Sequence, residues 1–205
     1  MFLITHLGVY SQNVYFKTGV NQTKYNYTSS LGEVSKVIHA DLGNAYEIGY
    51  SFPFRKESRF SFDVGVGLNE YNSIVGVPYS TIKWKTAYAG LQSSAGFSVI
   101  KSNYFSLGIK AGFNVSTILY GKEDINGILY DIKKEHDFNG ALLQSLFGLQ
   151  ANVYASKYCS LSVGYNYSQS LSTAKYPQNF SIETNQIMFG AHFQILKSEK
   201  NIFKK

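Results

Sequence analysis

The sequence predicts an all-β fold, an eight-stranded antiparallel up-and-down transmembrane β-barrel, and three observations lead there. Side chains alternate with period two along most of the chain, one face of each alternating stretch is apolar while the other is small and polar, and the connections alternate between short and long. Composition agrees: 205 residues suit one domain, and 17 Tyr, 15 Phe and 18 Gly against 3 Pro favour strands.

The N-terminal stretch MFLITHLGVYSQ is an apolar run ending in Ser11, with Val9 two positions earlier. This suits signal-peptidase cleavage between Ser11 and Gln12, so residues 1–11 are expected to be a signal-peptide remnant and 12–205 a single barrel domain with a short basic tail. An ordinary first strand is the alternative. The single Cys159 excludes an internal disulfide and leaves the compartment open.

The expected strands are Asn13–Lys24, Gly43–Phe54, Phe60–Tyr71, Trp84–Val99, Tyr104–Ser116, Gly140–Ala155, Cys159–Ser170 and Glu183–Leu196. In the third, FSFDVGVGLNEY, Phe60, Phe62, Val64, Val66 and Leu68 share one face, and Ser61, Asp63, Gly65, Gly67 and Asn69 share the other. A soluble barrel would place Lys and Glu on that second face; small polar residues instead suit a crowded lumen, which eight strands leave just wide enough for side chains. The apolar face then meets lipid. The sixth strand also reads as a buried helix, because Leu142, Leu146, Leu149 and Val153 could line one helical stripe. Its Asn139, Gln144, Gln150 and Asn152 argue against a spanning helix.

Three connections are short, RKESR, IKSN and SKY, while 25–42, 72–83, 117–139 and 171–182 are long. Short turns on the periplasmic rim and long loops on the extracellular one are the arrangement of bacterial barrels. Tyr46, Tyr50, Tyr88, Tyr165, Tyr167 and Trp84 are read as rings near the membrane interface. The segment KEDINGILYDIKKEHD is expected to be a mobile outer loop.

The stretches VYFKTGVN, GVG, GIKAGFN, SVGYNYS and IMFGAHFQI resemble the small outer-membrane β-barrel proteins of Gram-negative bacteria, of the outer membrane protein β-barrel domain or porin-like type. The resemblance covers essentially all of 12–205. It implies an outer-membrane location and outer-membrane lipid as the partner, and it carries no catalytic signature. Family members often close on an aromatic residue, whereas here LKSEKNIFKK continues past the last strand.

The net charge of +6 concentrates on one rim. Arg55, Lys56, Arg59, Lys101, Lys157, Lys197, Lys200, Lys204 and Lys205 oppose only Glu57 and Glu199 in the short turns and tail, nine cations against two anions for a net of +7. Anionic headgroups of the inner leaflet account for that excess, and no recognition helix or stacking motif points to nucleic acid.

Lys17, Glu47, Asp63 and Lys110 fall on inward positions and are candidates for a lumen charge network, since buried charges must be paired. That network reads either as interior packing or as a gate. Gln92, Gln144, Gln150 and His192 are further candidate interior polar residues. No His, Cys or Asp cluster has metal-ligand spacing, so neither metal nor cofactor is expected. Hydrolysis would need a serine, a base and an orienting acid within reach of one another, and His192 is the one strand histidine able to supply the base. The expected function is non-enzymatic and monomeric: a structural, anchoring or surface-loop role, with loop 117–139 available to an external partner. The alternatives are a small porin, a lipid-modifying barrel enzyme and a soluble lipocalin-like carrier with its apolar residues turned inward.

Overall fold

A computed structural model describes residues 12–28, 38–54, 58–77, 80–133, 138, 140–171 and 179–195. The expected signal remnant 1–11, the basic tail 196–205, the short-turn residues Arg55, Lys56 and Glu57, and His136 lie outside the described residues. The strands are β1 (Gln12–Thr28), β2 (Ile38–Pro53), β3 (Phe60–Val77), β4 (Ser80–Lys101), β5 (Phe105–Ile125), β6 (Ile128–Asp131), β7 (Ala141–Tyr154), β8 (Cys159–Ser170) and β9 (Asn179–Ile195). They lie in the order β4-β3-β2-β1-β9-β8-β7-β5-β6, and pairing of β4 with β5 closes the ring. Eight strands are staves of the barrel; β6 is a short return strand paired to the outer end of β5. All neighbours are antiparallel.

Closure gives every stave a hydrogen-bonded neighbour on both sides, which is what a spanning sheet in lipid requires. The outward face carries exposed Phe16, Ile48, Val66, Leu91, Phe113, Phe147, Leu149 and Phe189, while the alternate positions are buried or half-buried. A continuous belt of exposed apolar side chains of this kind matches a hydrocarbon environment and would be untenable in water. The stretch 140–155 is a strand, with Gln144 and Leu146 turned inward and Phe147 and Leu149 outward. The inward face is packed so tightly that Gly19 has no room for a side chain: a Cβ there would lie 1.9 Å from the Ile187 carbonyl oxygen.

Several expected boundaries move outward. The connections read as loops at 72–83 and 117–139 are largely strand: β3 and β4 stay paired out to Val77 and Ser80, and β5 continues to Ile125 before turning back. Above the lipid both sheet faces meet water or protein, so the apolar alternation fades while the backbone ladder persists. The segment expected to be a mobile loop is in part the β5–β6 hairpin. Its two-residue turn is Asn126–Gly127, both at positive φ (52° and 89°), the conformation of the hairpin turn whose twist matches the strands. His39, expected in a loop, sits on β2.

Candidate functional site

The lumen is filled in three tiers, each built from inward positions of different staves. Nearest the extracellular rim is an aromatic and aliphatic plug of Tyr25, Tyr71, Tyr88, Ile38, Val75, Ile118, Ile132, Phe138 and Ile182, with Trp84 packed against it. Tyr25 meets Trp84 edge-on at 5.5 Å and Phe138 at 5.9 Å between ring centroids. Its hydroxyl lies 2.8 Å from Thr86 Oγ1 and donates to the Tyr71 carbonyl at 3.0 Å, so the polar tip is satisfied inside the apolar cluster. Trp84 Nε1 donates to Glu123 at 2.9 Å. This corrects the assignment of Tyr88 and Trp84 to the membrane interface: both share the inward parity of Gln92 and close the lumen, whereas Tyr46, Tyr50 and Tyr165 do face outward.

The middle tier is a carboxamide lattice. Gln186 Nε2 donates to Asn21 Oδ1 at 2.8 Å and to Asn69 Oδ1 at 3.0 Å, and Asn166 Nδ2 donates to Gln186 Oε1 at 2.8 Å. Gln144, completely buried, accepts from the Tyr71 hydroxyl at 2.8 Å and from Asn114 at 3.1 Å, so a second pair of amides is hydrogen-bonded to the plug. Gln92, buried on β4, is the cross-strand partner of Asn114. These amides could not be singled out in advance from other inward polar positions, because the lattice depends on register between distant strands.

Below it the structure brings all four inward charges together. Lys17 and Glu47 are direct cross-strand partners on β1 and β2, with Lys17 Nζ 3.7 Å from Glu47 and 4.0 Å from Asp63. Lys110 Nζ reaches Asp63 at 3.3 Å from β5. Asp63 also accepts from Ser51 at 2.6 Å, Glu47 accepts from the Tyr15 hydroxyl at 2.5 Å, and Lys17 Nζ stands 3.8 Å over the Tyr15 ring. Their side chains are 4–8% exposed. Two cations and two anions therefore neutralise one another across the lumen. Glycine flanks them where space is short: Lys110 sits between Gly96 and Gly148, and Lys17 is opposite Gly190.

His192 lies just beneath, 3.0 Å from Ser162 Oγ through Nε2, with the Tyr15 ring 5.5 Å away. No carboxylate hydrogen-bonds it among the described residues, so the pair lacks the orienting acid that a hydrolytic triad needs. Gln150 donates to Asn152 at 2.7 Å near the same rim. Among the described residues no three His, Cys, Asp or Glu converge as metal ligands.

At the periplasmic end the lumen opens into a polar chamber of about 210 Å³ whose wall includes Asn13, Ser51, Arg59, Asp63, Lys101, Lys110, Gln150, Asn152, Tyr154 and His192.

A closed antiparallel barrel with a lipid-facing belt and a packed lumen has the architecture of the outer-membrane β-barrels of Gram-negative bacteria. Comparison with solved structures agrees on the fold. The chain is similar to the outer membrane protease OmpT from Escherichia coli (TM-score 0.52, 8% identity, covering 92% of this chain and 98% of that one). It is also matched to Neisserial surface protein A (0.47, 14%, 88% and 97%) and to Ail, the attachment invasion locus protein of Yersinia pestis, solved with the heparin analogue sucrose octasulfate (0.46, 12%, 91% and 100%). No family model and no curated protein matches the sequence.

Proposed function

We propose that this outer-membrane barrel conducts no solute and acts as a structural or anchoring component whose contacts with the outside are made by its extracellular rim. The observation that carries this reading is the filled lumen: an aromatic plug, a carboxamide lattice and a neutralised charge cluster stand in series across it. Packing of this kind is what eight staves allow. The β5–β6 hairpin supports the surface role, since Ile128, Leu129 and Tyr130 are exposed at 60%, 57% and 49% beyond the belt, where a barrel with no partner would carry polar residues. The reading is non-enzymatic because His192 and Ser162 have no orienting carboxylate among the described residues.

Planar-bilayer recording of the refolded protein tests it. The expected result is a silent membrane, with or without Asp63→Asn or Lys110→Gln. Discrete single-channel steps whose size changes in those variants would replace this reading with that of a small porin.

A further inference from the structure

The periplasmic chamber has a charge that the fold does not use. Among its described lining residues Arg59, Lys101 and Lys110 are cationic and Asp63 is the one anion. Asp63 is already engaged by Ser51, Lys110 and Lys17, so it cannot also neutralise the mouth. There, among the described residues, Arg59 donates only to the Val99 carbonyl at 3.4 Å and Lys101 only to the Ser58 carbonyl at 3.0 Å, and neither has a carboxylate partner.

Lys101 is in the chamber because of a break in register. Counting by two from Phe97, an outward residue, would send Val99 and then Lys101 toward lipid. Instead the pairing of β4 with β5 steps from Ser98↔Gly108 to Ile100↔Leu107, leaving Val99 as an extra residue. Lys101 then stands opposite Ser106, which is buried inside the barrel. Bulges at barrel rims commonly re-aim a side chain in this way. Had the ladder run straight, Lys101 could have reached the headgroup layer.

We infer that the chamber is a binding site for a compact, phosphate-sized oxyanion entering from the periplasm. Arg59 and Lys101 supply charge at the mouth, Lys110, already paired with Asp63, lines the inner end, and the amides of Asn13 and Asn152 supply neutral donors in the wall. Asn152 Nδ2 reaches Ser106 at 3.1 Å, which places that amide on the same strip of wall as Lys101. The oxyanion is either free phosphate or the phosphate of a monoester on a larger solute. A smaller polar cavity of about 120 Å³ shares Asn13, Tyr154, Ser160 and His192 with the chamber and gives such a solute somewhere to extend.

Titration calorimetry on the protein refolded in nonionic micelles tests the site with inorganic phosphate, glucose 6-phosphate and glucose. Phosphate should bind one to one, and Arg59→Gln with Lys101→Gln should weaken it about tenfold or more, the scale of losing charge-assisted hydrogen bonds. Lys83→Gln with Lys85→Gln, the same change in net charge at the opposite rim, should leave it unchanged. Equal binding of glucose 6-phosphate upholds the site with a monoester as its source, and binding of phosphate alone upholds it with the free ion. Should the double variant fail to show the heat-modifiable band of a folded barrel, Arg59→Gln alone must still weaken binding. The inference is overturned by absence of phosphate binding to about 10 mM, by equal weakening from the outer-rim pair, or by glucose binding as well as phosphate. It stands or falls separately from the silence of the channel.

Discussion

Removing the charge of Asp63 is the sharpest perturbation of the lumen. Asp63→Asn keeps the size of the side chain and leaves Lys17 and Lys110 buried with Glu47 as their one anion. At an effective dielectric of about 20, the 3.3 Å and 4.0 Å contacts are worth about 5 and about 4 kcal/mol of direct attraction. Part is returned because Asp63 no longer has to be desolvated, and water from the adjoining chamber can reach Lys110. The net loss should therefore fall at about 3–5 kcal/mol, the range for stripping one partner from a buried pair. Urea unfolding in phospholipid vesicles measures it, with Trp84, the one tryptophan, as the reporter. Asp63→Asn combined with Lys110→Met removes one charge of each sign and should recover a large share, giving a coupling energy of about 2 kcal/mol or more. A loss below about 1 kcal/mol for Asp63→Asn, or strict additivity in the pair, would show that water already screens these charges and that no buried network exists.

Two further substitutions probe the outer end. Tyr25→Phe keeps the ring packing but strips the hydroxyl from Thr86 and from the Tyr71 carbonyl, at a cost of about 1–3 kcal/mol in the same urea assay. Gly127→Ala meets open space but keeps a φ of 89°, so it should loosen the β5–β6 hairpin alone, seen as faster amide exchange at Ile125 and Ile128 with the barrel midpoint unchanged.

Within the lipid belt the fold was legible because hydrocarbon tolerates no exceptions to the alternation. Phe60, Phe62, Val66 and Leu68 can face only one way, and the structure turns them outward. The inward parity of Lys17, Glu47, Asp63 and Lys110 was legible for the same reason. Their common height was not, since it depends on register: Lys17 meets Glu47 only because β1 and β2 pair as they do. Beyond the belt the signal weakens. Residue type alone places Tyr88 and Trp84 among the interface rings, whereas counting positions along β4 gives them the parity of Gln92 and places them inside. The Asn126–Gly127 turn was visible as a hairpin signature, but the charges around it suggested a loop. The bulge at Val99 has no comparable sequence mark, which is why the inward turn of Lys101 emerges only from the pairing with β5.

The central claim is that the apolar face meets lipid and the polar face fills the lumen. Refolding residues 12–205 from urea, in plain buffer and into phospholipid vesicles in parallel, tests it most directly through circular dichroism and gel mobility before and after heating. The account predicts a β spectrum and a heat-modifiable band with vesicles, and aggregation without them. A folded, water-soluble monomer in plain buffer would contradict it and turn the barrel inside out.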